Sequence, residues 1–344
     1  MQHFQKILRC LLLTSITAAL TSGSLLLCGC HRYLVNNPVT PSSSVKGIPA
    51  APTQITHRPL AVMIENSPDA RPQSGIVEAN VVYEAITEGG ITRFLAIYLN
   101  GEPAVIGPVR SARPHFIYLA QEYDPIFVHC GESEEALQIL SGYAPVRDLD
   151  QLKHGKPFWR SHARSAPHNL YTSCERLRDY TEKQGWDHPT PTLPNFSNGG
   201  QITNGTPAHE VCINFNGAIR YRLRFVYDAQ RSGYLRYMDG TLHVDKETGN
   251  PIIAKNIVIQ RVASSLFPGS HLHTYDVNVI GSGQGIFISQ GQQASLYWNK
   301  DNSSAITQYT DAKSVPLPFQ PGQTWIEEVP LTGSVTITPA LPSP

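Results

Sequence analysis

In this chain of 344 residues Lys and Arg together number 27, as do Asp and Glu, so the formal net charge is zero and only 16% of the sequence is charged. That balance excludes a general electrostatic grip on nucleic acid or on an anionic membrane surface, both of which need an excess of basic side chains. The length exceeds what one ordinary hydrophobic core fills, so two domains are expected.

The N-terminus reads as an export signal. His3, Lys6 and Arg9 precede an apolar run through Leu11, Leu12, Leu13 and Ile16 to Leu25, Leu26 and Leu27, with no acidic residue. The run ends in Leu27-Cys28-Gly29-Cys30, which resembles the lipobox of bacterial lipoproteins: an aliphatic residue, a tolerant position, a small residue and then the acylated Cys. Cys28 fits that pattern badly, because Leu27 would occupy the small position. An uncleaved membrane helix is the competing reading, and the Gly-Cys end with its polar sequel suits processing better. Both place the body outside the cytoplasm, which removes nucleic acid further from the expected partners. The signal is assigned to residues 1–29, with Cys30 the lipidated first residue of a protein anchored to the bacterial membrane. The remaining cysteines, Cys130, Cys174 and Cys212, are too few and odd in number for a disulfide framework and read as small buried apolar residues.

Residues 30–56 are rich in Asn, Pro, Ser and Thr and poor in large apolar side chains, the composition of a flexible tether. Residues 57–190 mix strands and helices. Strands are predicted over 59–64, 80–88, 91–99 and 126–129, with Gly89-Gly90 as a two-residue hairpin connection. Helices are predicted from Pro114, from Ser133-Glu134-Glu135, and from a Thr172/Glu175 capping box to a stop at Gly185. A Pro/Gly/Asn-rich linker over 191–207 follows, then a β-rich domain over 208–332 and a flexible tail over 333–344. The fold class is therefore α+β: a mixed N-terminal domain followed by a strand-rich one.

A two-residue hairpin turn pairs Glu88 with Ile91 and Ile86 with Arg93, which places Glu84, Glu88 and Arg93 on one strand face. They form either a structural Arg-carboxylate pair or part of a site. Arg110 and Arg113 in Gly107-Pro108-Val109-Arg110-Ser111-Ala112-Arg113-Pro114 sit directly before a helix start, where unpaired amides favour an anion. They either clamp a phosphate or carboxylate or complete an internal network with Glu65, Glu84 or Glu88. His168 and Asn169, in Ala166-Pro167-His168-Asn169, offer a base or an orienting donor, or simply a satisfied loop. Gly281-Ser282-Gly283-Gln284-Gly285 lacks the spacing of a nucleophile elbow or a dinucleotide loop. His271 and His273 have no accompanying set at metal-ligand spacing, and His129 beside Cys130 alternates across a strand. No metal and no cofactor are expected, and no catalytic residue is assigned.

Several long motifs occur together and in order: Val62-Met63-Ile64-Glu65-Asn66, Ala70 to Gly75, Val82-Tyr83-Glu84, Glu88 to Phe94, Gly107 to Pro114, Ala166 to Ser173, Gly240 to Gly249, Asn256 to Gln260, Trp298-Asn299-Lys300 and Pro321 to Trp325. In this combination the chain resembles the YerB-type lipoprotein family over essentially everything after the tether. The resemblance implies two domains of unknown function, an α+β fold with two β layers and a helical layer, and no catalytic residues. Asn80, His115 and Glu132 depart from it, standing where an acid, an aromatic and a glycine are expected. The reading that follows is a binding or regulatory envelope lipoprotein holding an anionic component, such as a peptidoglycan fragment, with Arg93, Arg110, Arg113, Glu84, Glu88, His168 and Asn169 as the candidate ligand residues. The alternatives are a hydrolase or transferase on envelope glycan using Glu84 or Glu88 as acid/base, and a structural scaffold for other envelope proteins through the exposed edges of its second domain.

Overall fold

The computed structural model describes residues 55–142, 146–189, 194, 199–215, 221–270 and 273–339. The export signal, Cys30, the tether up to residue 54, part of the expected linker and His271 lie outside the described residues. The first half supplies the strands Leu60–Glu65 (β1), Val81–Ile86 (β2), Thr92–Tyr98 (β3), Ile126–His129 (β4) and Arg147–Asp150 (β5), and the helices Pro114–Ala120 (α1), Glu134–Ser141 (α2) and Cys174–Lys183 (α3). With helices of only 7, 8 and 10 residues, the described chain is dominated by strands rather than balanced between helix and strand.

Local chemistry accounts for the helix starts. Pro114 opens α1, and Ser133 caps α2 by accepting from the Ala136 N–H. The third start lies one residue beyond the capping box expected at Thr172: Ser173 accepts from the Arg176 N–H, while the Thr172 hydroxyl donates to the Pro157 carbonyl at 3.0 Å. Tertiary pairing has claimed the nearer hydroxyl.

β1 is buried at all six positions and reads Leu-Ala-Val-Met-Ile-Glu without alternation, as a strand covered on both faces requires. It pairs antiparallel with β3 and parallel with β4, and β4 is parallel to β5. The sheet continues past β3 into β2 and then into the second half of the chain, through Thr324–Pro330, Asn256–Val262, Gly281–Ser289, Gln292–Lys300 and Gln308–Thr310. Thr324–Pro330 lies parallel to β2 on one side and to Asn256–Val262 on the other. The two halves, read from sequence as separate domains, thus share one sheet of eleven strands, the eleventh being Thr206–Pro207 paired with Gln292–Lys300. A six-stranded sheet built on Gly233–Met238, Arg222–Asp228 and Glu210–Asn214 accompanies it. Its edge is Ser334–Thr338, paired with Glu210–Asn214 where a flexible tail is expected. Ser-Val-Thr-Ile-Thr places β-branched residues throughout that segment, which suits an added strand.

The β2–β3 register also differs from expectation. Ala85, not Ile86, opposes Arg93, and Glu84 opposes Phe94. The Thr87 N–H donates to the Ile91 carbonyl at 2.7 Å, so the loop has three residues, Glu88, Gly89 and Gly90, in a 3-10 turn with both glycines at positive φ. One extra loop residue moves Arg93 to the opposite face from Glu84.

Glu84 instead meets the second half. It opposes Glu327 across the parallel pairing and binds the fully buried Arg236 from Gly233–Met238. The Arg236 guanidinium lies 4.2 Å from the ring centroid of Trp325 and 5.1 Å from that of Phe94, while its Nη1 donates to His243 Nδ1 at 2.7 Å. His243 Nε2 then donates to Gln73 Oε1 at 2.9 Å, which fixes the neutral tautomer; burial, followed by the charges of Arg236 and Arg71, keeps that ring well below its ordinary pKa. Among the described residues, neither carboxylate oxygen of Glu327 has a hydrogen-bond partner. Burial first, and Glu84 next, push its pKa well above 4.5, so burial beside a second carboxyl favours the protonated form of Glu327.

A carboxyl with a raised folded pKa contributes stability that is complete below the unfolded value and lost as pH rises through the folded one. Glu327→Gln, which keeps a donor toward Glu84, is therefore expected to be more stable than the wild type at mildly alkaline pH and indistinguishable from it below the ordinary carboxyl value of 4.5. Urea unfolding at the two pH values measures this; a variant that is destabilised equally at both would contradict the raised carboxyl pKa.

Candidate functional site at the carboxyl edge of the central sheet

β1, β2, β4, β5, Asn256–Val262 and Thr324–Pro330 run parallel, so their carboxyl ends line one edge of the sheet. Sites in sheets of this kind form beyond the carboxyl ends of parallel strands, where chain direction leaves loops and unpaired polar groups. Glu65 ends β1, His129 ends β4 and Asp150 ends β5, and the β2–β3 turn carries Glu88 to the same edge.

Residues 107–113 cross this edge and are held from both sides. The Glu65 N–H donates to the Pro108 carbonyl at 2.9 Å and the Arg110 N–H to the Met63 carbonyl at 3.0 Å, while the Cys130 N–H donates to the Arg110 carbonyl at 3.1 Å. Gly107 starts the crossing at a φ of +148°, and a Cβ there would lie 2.8 Å from the Leu170 carbonyl oxygen. The chain passes too close to the Trp159–Arg160 and Leu170–Tyr171 hairpin for any other residue.

The candidate residues divide into three groups. Arg93 and Arg113 share Glu88: Arg93 Nη2 lies 3.1 Å from Glu88 Oε2, Arg113 Nε contacts Glu88 Oε1, and Arg93 Nη1 donates to the Ser111 carbonyl at 2.6 Å. Burial, then the like charge of Arg113, brings the Arg93 guanidinium down to about 9. Burial would raise the Glu88 carboxyl, but Arg93 and Arg113 together hold it below its ordinary value. Arg113 therefore turns inward, and the Phe116 and Ile117 N–H groups donate to its carbonyl. Arg113 is thus engaged by Glu88, and Arg110 lies beside Glu65.

The second group centres on Glu65, which faces Arg93 across β1 and β3. Glu65 Oε1 accepts from Ser67 Oγ at 2.8 Å and from His168 Nδ1 at 2.9 Å, with Arg110 Nε 3.3 Å away. Asn169 supports this group at one remove: its Oδ1 accepts from Arg160 Nη1 at 2.8 Å and its Nδ2 donates to the Ser161 carbonyl at 3.1 Å, bracing the loop that carries His168. Glu84 belongs to neither group. It is buried on the far face with Arg236 and Asn66, apart from Glu88. His115 is also enclosed by this edge. Burial, then Arg113 and Arg93, lower it to about 3, and the neutral ring fills an aromatic position.

A third group had no sequence expectation. His129 Nε2 donates to Asp148 Oδ1 at 2.6 Å, and its Nδ1 lies 3.8 Å from Glu132 Oε2 and 4.0 Å from Asp150 Oδ1. Among the described residues, His129, Glu132 and Asp150 are the set whose ligand atoms lie close enough together to hold a metal ion. A His-x-x-Glu spacing at a strand exit was the available signal; Asp150 joins only through the β4–β5 pairing.

The family assignment rests on both halves of the chain. Residues 46–187 match the model described as the N-terminal domain of a protein of unknown function, DUF3048, and residues 211–326 match the corresponding C-terminal domain. The chain belongs to the DUF3048 family. One relative within reach of DUF3048 is "Putative lipoprotein YerB" of Bacillus subtilis (strain 168), 35% identical over 292 residues that cover 82% of this chain and 84% of the relative. The crystal structure of the YerB protein from Bacillus subtilis superposes with a TM-score of 0.72 at 31% identity, covering 82% of this chain and 94% of that one. The DUF3048 domains therefore meet here along the β2 and Thr324–Pro330 pairing, with the arginine and histidine groups all in the N-terminal domain.

Because Arg113 and Glu88 are mutual partners, Arg113→Ala leaves Glu88 with Arg93 alone in a mostly buried position. The expected cost is about 3 kcal/mol, at the lower end for a broken buried pair, with a coupling of about 0.5–3 kcal/mol in a double-mutant cycle with Glu88→Ala. Urea denaturation of the four proteins checks both; additive losses would mean that the pair does not act as a unit.

Proposed function

We propose that the protein is a lipid-anchored, extracytoplasmic binding lipoprotein that holds an anionic component of the cell envelope, such as a peptidoglycan fragment, at the carboxyl edge of its central sheet. The observation that carries this reading is the crowding of three guanidiniums, Arg93, Arg110 and Arg113, with His168 around only two carboxylates, Glu65 and Glu88. Positive charge is in local excess in a chain of zero net charge, and like charges held together at a cost to stability are a mark of binding sites. Arg93 and Arg113 are engaged by Glu88 and form the rigid floor. Arg110 and His168 keep 28% and 24% of their side-chain surface exposed and converge on a single carboxylate oxygen. A ligand carboxylate or phosphate would meet these two groups first, with charge-assisted hydrogen bonds from the guanidinium.

The anchor is supported by Leu27-Cys28-Gly29-Cys30 and by the lipoprotein name of the Bacillus subtilis relative. Cys30→Ala should block acylation and leave an unprocessed precursor in cell fractions; normal acylation and maturation of that variant would refute the site.

For the binding site, Arg110→Ala should reduce the affinity for anionic peptidoglycan fragments by about tenfold or more, the loss of one charge-assisted hydrogen bond, while leaving the melting temperature nearly unchanged. Calorimetric titration with such fragments reads the first quantity and a thermal melt the second. Unaltered affinity, or a large fall in melting temperature, would return Arg110 to the internal network of Glu65.

A further inference from the structure

At the same edge, but on β4 and β5, the third group of polar residues has a donor and acceptor arrangement that its own side chains do not complete. His129 is fully buried and its ring carries at most two N–H groups. Nε2 is committed to Asp148, whose other oxygen lies 3.2 Å from Lys153 Nζ. Nδ1 faces only oxygens: the Gly131 carbonyl at 2.9 Å, Glu132 Oε2 at 3.8 Å and Asp150 Oδ1 at 4.0 Å. The Gly131 carbonyl already accepts from the Ala112 N–H at 2.9 Å, so a proton on Nδ1 would add only a second donor to it. Glu132 Oε2 would stay as it is, buried without a hydrogen-bond partner among the described residues, beside the buried carboxylate of Asp150.

We infer that His129 Nδ1, Glu132, Asp150 and the Gly131 carbonyl bind one divalent transition-metal ion. The cation replaces the Nδ1 proton and gives the stranded Glu132 oxygen a partner. Ligand bonds of about 2.0–2.2 Å place ligand atoms about 3 to 3.5 Å apart, so the three side-chain atoms, which lie within 4.8 Å of one another, need to close by about 1 to 2 Å at most. Asp148 then plays the part usual for a carboxylate behind a ligating histidine, fixing the ring orientation and tautomer from the opposite nitrogen. Gly131 makes the loop possible. At a φ of +67° it directs its N–H to Asp150 Oδ1 at 2.8 Å and its carbonyl toward the ring. One imidazole nitrogen with two carboxylates and a carbonyl suits Mn²⁺ or Zn²⁺; it lacks the thiolates of a soft-metal site, and the nitrogen disfavours Mg²⁺ and Ca²⁺. This inference does not depend on the anion-binding reading, since none of its ligands is shared with Arg110, Glu65 or His168.

The test uses the full chain in detergent, stripped of metal with a chelator and titrated with Mn²⁺ and separately with Zn²⁺. Calorimetry should give one strong site per chain, the melting temperature should rise with metal, and pulsed EPR of the Mn²⁺ form should show coupling to one imidazole nitrogen. Glu132→Gln, an isosteric change at the partly accessible end of the site, should weaken binding by well over tenfold, and Asp148→Asn by about tenfold. Failure of the wild type to bind either ion at millimolar concentration, absence of the nitrogen coupling, or unchanged affinity in a folded Glu132→Gln protein would each overturn the inference. Should Glu132→Gln fail to fold, the nitrogen coupling in the wild type decides.

Discussion

The parallel pairing of Thr324–Pro330 with β2 is the contact on which the rest of the structure depends. It joins the two halves of the chain into one ladder, and because both strands alternate with period two it also decides which side chains meet inside. Trp325 and Glu327 turn toward the smaller sheet, where Arg236 lies over the indole and between Glu84 and His243. Glu328, one residue on, turns to the other face, near Glu122 and Lys300, which are 3.0 Å apart and fully buried. Each face of the joint therefore carries its own ion pair linking the first half of the chain to the second. Groups of this kind are costly to bury, and their geometry must be met in full or the charges are stranded. They act less as a source of net stability than as a condition on register, since a slip of one residue would exchange the contents of the two faces.

The interior network reaches the candidate site through amides rather than charges. Gln73 accepts from His243 and donates to the Glu65 carbonyl and to Asn66 Oδ1, and Asn66 donates in turn to Glu84 and Thr92. The end of β1 is thus fixed from behind by the second half of the chain, while in front of it Glu65 presents its side chain to Ser67, His168 and Arg110.

Along this edge charge is sorted by strand. Near β1 and β3 the arginines outnumber the carboxylates, and near β4 and β5 the carboxylates of Glu132, Asp148 and Asp150 outnumber the cations. The crossing segment 107–113 separates the two regions, with Arg110 bonded through its carbonyl to Cys130 and Ala112 bonded to Gly131. An anion on one side and a cation on the other would each find complementary charge a few residues apart. The proximity follows from chain topology, because parallel strands deliver all their carboxyl ends to one edge.

Much of the local structure was legible in the sequence. The unbroken apolar run of β1, the proline at the start of α1, the Ser133 cap and the short strands of the second half follow from propensity and period, which act within a few residues. Arg93, Arg110, Arg113, Glu88 and His168 were also identifiable as polar groups concentrated in glycine- and proline-punctuated loops, and the structure gathers them at one edge. What the sequence did not determine was which of them face one another. A single extra residue in the Glu88-Gly89-Gly90 turn separates Glu84 from Arg93, and no local pattern distinguishes a two-residue from a three-residue loop there. The partners of Glu84, Arg236 and Glu327, come from more than 150 positions away, and the His129–Asp150 approach exists only because β4 and β5 pair in parallel. Short-range forces write the elements into the sequence. Register and the meeting of distant side chains depend on closing long loops into one sheet, and only the tertiary structure decides them.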